Sequence, residues 1–246
     1  MELILRALRV LPAADWAALA VFMVGWVGYV QAARRLGLQR RSMLGSTNRI
    51  REAWMLESTR REVRIVDSTV LQNLSSAPSF FASTTIFVIG GLAAALGASD
   101  KASELVQELP FAARTSALVL DLKLLLLLGI YVHAFFRFTW AMRQYTFGAL
   151  MIGAAPDRDV FNTDESARRA YAHRAARVMG LAAETFNDGL RAVYLSFAAM
   201  LWFLSPLAMV AGTVGVIWVL YRREFHSDIL AVLDERGPPA DDRPSP

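Results

Sequence analysis

Two stretches of this chain, residues 16–33 and 68–99, contain no charged side chain. Nothing else in the sequence constrains the fold as strongly. A helix of about 20 apolar residues crosses the roughly 30 Å hydrocarbon core of a bilayer. Inside that core, only helices and closed barrels satisfy their own backbone polar groups. Two more blocks have the same character: residues 118–141, interrupted by Asp121, Lys123 and Arg137, and residues 192–221, interrupted by Pro206. The pattern predicts an all-α membrane protein with four transmembrane helices, at about 16–33, 76–98, 118–141 and 197–220, and with extended cytoplasmic helices. The composition, 55% hydrophobic, is richer than that of a soluble domain.

The first block resembles a signal peptide, with Val30, Gln31 and Ala32 as a passable cleavage site. Arg34, Arg35, Arg40 and Arg41 follow at once, and such a cluster resists translocation. The block is therefore expected to stay as a span. The net charge of +4 lies mostly on arginines between the blocks. It speaks for orientation and contact with anionic lipid rather than nucleic acid. The first loop carries nine Lys or Arg and the third six, against two in the N-terminal segment, two in the second loop and four in the C-terminal tail. Loops one and three are thus expected in the cytoplasm and both termini outside it, in a multi-pass inner (plasma) membrane protein. Arg222 and Arg223 count mildly against this placement.

Residues 46–74 contain neither Gly nor Pro and read as one long helix that runs on into the second span, capped by Ser46 or Asn48. Glu57 and Arg61 form an i,i+4 pair, and Arg60, Arg64 and Asp67 share one face as a charge network. Ile50, Trp54 and Ile65 need a partner surface. Residues 163–188 read as a second cytoplasmic helix, capped by Asn162 with Glu165 completing a capping box. The two are expected to pack together under the membrane. Residues 234–246 read as a disordered tail. Gly90/Ala94, Gly91/Ala95 and Ala211/Gly215 have the small-residue spacing that lets helices approach closely.

Arg137 stands just past the run LLLLLGIYV. Taking Lys123 and Arg143 as the interfaces puts about 30 Å of helix between them and leaves Arg137 immersed. It either snorkels to the headgroups beside Trp140 and Tyr145, or faces the bundle near His133 and Gln144, or binds lipid. Asn187, Asp188 and Arg191 form a second polar cluster, either a helix joint or a gate facing Arg137. Ser75 to Thr85 brings hydroxyls and Pro78 to the mouth of span two. The hydroxyls either bond back to the helix or line a constriction gated by Phe80 or Phe81. Pro206 is expected to kink span four.

Without cysteine there is no disulfide, thiolate zinc site or iron–sulfur cluster. The three histidines, His133, His173 and His226, form no ligand motif, and no nucleotide-loop, metalloprotease or hydrolase motif occurs. No cofactor, no metal and no enzymatic activity are expected.

The segments REAWM, TRREVRIVDSTVLQNL, SFFASTTIFVIGGL, YVHAFFRFTWAMRQY, LMIGAAP, FNDGLRAVY, AMLWFLSP and LYRREF together resemble the domain-of-unknown-function 599 family of membrane proteins. The resemblance covers about residues 16–233. It implies a multi-span membrane protein and no catalytic residue. Two functions follow as expectations. One is an oligomeric channel or transporter for a small solute or anion, with Arg137, Asn187 and Arg191 along its path. The other is a non-catalytic scaffold or accessory subunit whose cytoplasmic helices dock a partner. Expected partners are the bilayer and a second copy or another membrane protein.

Overall fold

The first helix, α1 (Ala13–Gln39), is the first charge-free block with a polar turn added at each end. The computed structural model describes residues 11–39, 41–98 and 117–234. The expected tail beyond residue 234 and the basic residues Arg6, Arg9, Arg40, Lys101, Arg114, Arg236 and Arg243 lie outside the described residues. After α1 come α2 (Met43–Ser58), α3 (Ile65–Gly97), α4 (Ala117–Gly153), the short α5 (Arg158–Asn162), α6 (Glu165–Met200), α7 (Pro206–Phe225) and α8 (Asp228–Asp234). The described residues contain no strand. Three helices, over Ala13–Gly37, Ile65–Gly97 and Ala117–Gly153, are long and apolar enough to cross a membrane.

The single helix expected over 46–74 is two helices. The side chains of Ser58 and Thr59 donate to the carbonyls of Met55 (2.8 Å) and Leu56 (2.6 Å). Such local bonds compete with the helical ladder, and α2 ends there without Gly or Pro. Tertiary bonds fix the turn that follows. Buried Asp67 accepts from Trp54 Nε1 (2.7 Å) and from Arg61. Arg64 donates to the carbonyls of Ala155 (2.8 Å) and Pro156 (2.7 Å). The N-caps also differ from expectation. Ser42 caps α2, its Oγ accepting from Gly45 N–H (3.1 Å). Asp164 caps α6, accepting from Ser166 N–H (2.9 Å) and Ala167 N–H (3.0 Å). Asn162 instead accepts from Arg168 (2.6 Å).

The fourth span differs most. Residues 192–221 are not one kinked helix, because the chain reverses at residues 201–205. A 3₁₀ turn spans Leu201–Phe203, Ser205 Oγ accepts from Ala208 N–H (3.0 Å), and Pro206 is the first residue of α7. Proline suits that first position, where its missing N–H costs nothing. The end of α6 and α7 thus form an antiparallel hairpin, with Arg191 near Glu224 at its open end.

α4 is the central helix and packs most extensively against α6 and α3. α4 and α6 are antiparallel, with Lys123 meeting Trp202, Tyr131 meeting Ser196, Phe138 meeting Gly189 and Gly148 meeting Met179. A methyl group on Gly189 would lie 2.5 Å from the Phe138 ring, so this crossing requires glycine. Gly90, Gly91 and Gly215, expected at close contacts, face open space instead. The upper half of the bundle holds a core of Phe22, Ile130, Phe138, Leu195, Trp202 and Met209. A second core below it, around Met55, Leu71, Tyr145 and Met179, is built by α2 and the lower parts of α3, α4 and α6.

The beginning of α1 and the end of α7 lie at opposite ends of the upper bundle. Asp15 accepts from Trp202 Nε1 (2.6 Å) at the hairpin turn. Glu224 accepts from the N–H of Leu44 (3.2 Å), in the first turn of α2. Asp15 and Glu224 thus stand at opposite ends of this bundle, because the block read as one kinked helix is two antiparallel legs.

Candidate functional site

The polar centre of the molecule lies where the two cores meet. Asp188 of α6 receives three guanidinium groups. Arg34 of α1 donates to Oδ2 (2.7 Å), Arg137 of α4 donates to the same oxygen, and Arg191 donates to Oδ1 (2.9 Å). Two further carboxylates complete the cluster: Glu184 pairs with Arg34 (3.2 Å), and Glu224 lies 3.8 Å from Arg191. Three cations face three anions, drawn from four helices. Arg191 also lies over the Tyr29 ring, 5.7 Å from its centre. Buried charges of this kind persist only when paired and hydrogen-bonded, and Asp188 supplies the shared partner. The arrangement clamps α1, α4, α6 and α7 at one level.

Arg137 therefore turns into the bundle rather than away from it. Its expected neighbours do not join it. His133 lies at the rim, edge-on to Trp26 (5.6 Å between rings). Gln144 has a buried amide oxygen without a hydrogen-bond partner. Asn187 sits beside Asp188 in sequence but lines a separate cavity with Arg51 and Tyr145. Phe80 points outward, 67% exposed. Phe81 stacks on Phe138 (5.3 Å) and packs on Phe186 (5.9 Å). Phe80 thus faces outward and Phe81 belongs to the core. The hydroxyls around Pro78 bond back to the helix, Ser75 to Gln72 O (2.9 Å), Ser76 to Asn73 O (2.7 Å) and Thr84 to Phe80 O (2.9 Å).

The expected network of Arg60, Arg64 and Asp67 is three separate contacts. Arg60 pairs with Glu57 (2.7 Å) and approaches Glu165 (3.8 Å), Arg64 holds backbone carbonyls, and Asp67 takes Arg61 and Trp54. The break after Thr59 removes the common helix face. Glu57 consequently pairs with Arg60 and not with Arg61. Trp54, expected to need a partner surface, is tied to Asp67 and packs on the lower core.

A groove of 410 Å³ adjoins the charge cluster between α1, α2, α6 and α7, and Arg34, Arg191, Glu184 and Glu224 all reach it. Glu52 and His173 are 3.0 Å apart on its far wall. At the other end of the upper bundle, Lys123 is buried, donates to Trp202 O (2.9 Å) and lies over the rings of Trp202 and Phe203. Among the described residues, no group of His, Asp and Glu is arranged to hold a metal ion.

A family model described as "Protein of unknown function, DUF599" matches residues 17–229. The chain belongs to this family. No curated protein and no solved structure matches it. Sequence reading found Arg137, Asp188 and Arg191 through their position at a span boundary. It missed Arg34, Glu184 and Glu224; the bond from Arg34 to Asp188 spans 154 positions of sequence.

Proposed function

We propose that this DUF599 protein is a non-catalytic, five-crossing membrane protein that docks a protein partner through the far end of its cytoplasmic helices. The crossings are α1, the upper parts of α3 and α4, the end of α6, and α7. From Asp15 to Arg34, α1 rises about 28 Å, close to one hydrocarbon thickness. Outward-facing Val24, Phe80, Phe87, Leu207 and Trp218 then meet lipid. With the end of α7 on the same side as α2, the basic tail joins loops one and three. Nineteen Lys or Arg then stand on the cytoplasmic side against four outside, a sharper bias than the four-span topology gives.

The observation that carries the docking reading is an apolar cluster at the start of α3, outside the part proposed to cross the bilayer. Val63, Ile65 and Val66 flank the Arg64 contact and are 64%, 71% and 64% exposed. Val160 is exposed just beyond the carbonyls that Arg64 holds. Exposed apolar groups gathered at one place mark interaction sites. The filled upper core and the neutralised arginines count against a path through a single protomer.

A photo-crosslinking residue at Ile65, with one at exposed Glu57 as comparison, tests the reading in cells. A discrete adduct from position 65 alone supports docking, and its mass shows whether the partner is a second copy. Equal labelling from both positions, or none, contradicts it. Solute flux through liposomes holding the pure protein, abolished by Arg137→Ala, would favour transport instead.

A further inference from the structure

Beneath the aromatic cluster of Phe81, Phe138 and Phe186, the helices α2, α3, α4 and α6 line an open cavity of 310 Å³. Its polar lining is Arg51, Thr47, Asn73, Tyr145 and Asn187, with no acidic residue. Arg51 is partly buried. Its guanidinium donates from Nη1 to Thr47 Oγ1 (3.1 Å) and Asn48 Oδ1 (2.7 Å), both neutral acceptors. Among the described residues it makes no ion pair, unlike buried Arg168 and Arg191, which pair with Glu165 and Asp188. A guanidinium has five donors, so those on Nε and Nη2 remain for another acceptor. Burial also pushes the Arg51 pKa below its ordinary value, as expected of a cation taken from water without a counter-ion.

Tyr145 is buried and lines the same space, as does Asn187. Donors from α2, α4 and α6 thus converge on a space that holds no negative charge of the protein's own. The opposite wall is apolar, made by Leu74, Ala77 and Phe186.

We propose that this cavity binds a carboxylate or phosphate monoanion, with Arg51 taking its charge and Tyr145 and Asn187 donating to its oxygens. The apolar wall takes a short alkyl stem. The site lies one residue from Asp188, near the level of the inner headgroups. The same chemistry is therefore reachable by a free anion or by an anionic lipid headgroup. It does not depend on the docking reading.

The test uses the full chain in phosphatidylcholine nanodiscs. Its melting temperature is followed against octanoate and inorganic phosphate at constant ionic strength, and again in nanodiscs with added phosphatidylglycerol. A saturable rise with a free anion identifies a soluble ligand; a rise with phosphatidylglycerol alone identifies a headgroup. In both cases Arg51→Gln is expected to weaken the apparent affinity by tenfold or more, and Tyr145→Phe and Asn187→Ala by less. Without added anion, Arg51→Gln is expected to melt no lower than the unsubstituted protein, because it removes an uncompensated cation. No rise with any probe overturns the proposal, as does an equal rise in Arg51→Gln. A large fall in the melting temperature of anion-free Arg51→Gln also overturns it, because Arg51 is then a structural strut.

Discussion

Asp188→Asn keeps the shape of the side chain and removes the charge that three arginines share. The magnitude follows from exposure. Asp188 and Arg191 are 7% and 8% exposed, so their pair is a buried one. Removing one partner of a buried pair costs about 3–5 kcal/mol, because the other charge is left without compensation. Arg137, 28% exposed, loses its partner as well. Arg34 is 51% exposed and keeps Glu184, so its share is about 0–1 kcal/mol. The total is about 3–6 kcal/mol. At about 2–4 °C per kcal/mol for a chain of this size, the melting temperature should fall by about 6–24 °C. Tryptophan fluorescence during heating in nanodiscs reads this directly. Glu184→Gln, a partly exposed partner of an exposed arginine, should shift it by far less. Adding Arg137→Gln to Asp188→Asn should recover part of the loss by removing one stranded cation. An Asp188→Asn protein that melts within about 2 °C of the parent would refute the claim that this carboxylate clamps the bundle.

Other expectations concern packing and caps. Gly189→Ala should cost about 1–3 kcal/mol, because the new methyl meets the Phe138 ring. Gly148→Ala should cost less, since the atom it meets belongs to the flexible Met179 side chain; chemical denaturation of the two variants compares them. Ser205→Ala should cost about 1 kcal/mol by uncapping α7, read as a lower unfolding midpoint. The Asp164 carboxyl is held below its ordinary pKa, first by the Ser166 hydroxyl and then by backbone N–H groups. Its capping contribution is therefore present above the unfolded carboxyl value of about 3.9 and fades as pH falls through the lower folded value. The melting-temperature gap between the parent and Asp164→Ala should accordingly close as the solution is acidified through that range.

What was legible in the sequence was whatever depends on composition over a long window. The apolar blocks at 16–33 and 68–99 became α1 and most of α3, and the helical period of 163–188 became the first part of α6. What was hidden depends on single bonds between distant residues. Ser58 and Thr59 end α2 in a stretch without Gly or Pro, and Arg61, Arg64, Trp54 and Asp67 fix the turn. Ser205 and Pro206 reverse the chain inside a block whose hydropathy is unbroken, so an apolar average could not separate two legs from one. That one turn moved the end of α7 to the opposite end of the bundle. Under the proposed five-crossing topology, Arg222 and Arg223 at that end stand on the cytoplasmic side. The cluster was half visible: Asp188 and Arg191 stand one helical turn apart, whereas Arg34 and Glu224 reach them only through the fold.

The five-crossing topology is tested most directly by side-specific labelling, and the absence of cysteine makes single-cysteine variants unambiguous. Cysteine is placed at Ala14, at Glu57 or at His226, and intact cells are treated with a membrane-impermeant maleimide before and after permeabilisation. The account predicts that Ala14→Cys labels in intact cells, while Glu57→Cys and His226→Cys label only after permeabilisation. Labelling of Ala14→Cys and His226→Cys from the same side would contradict it.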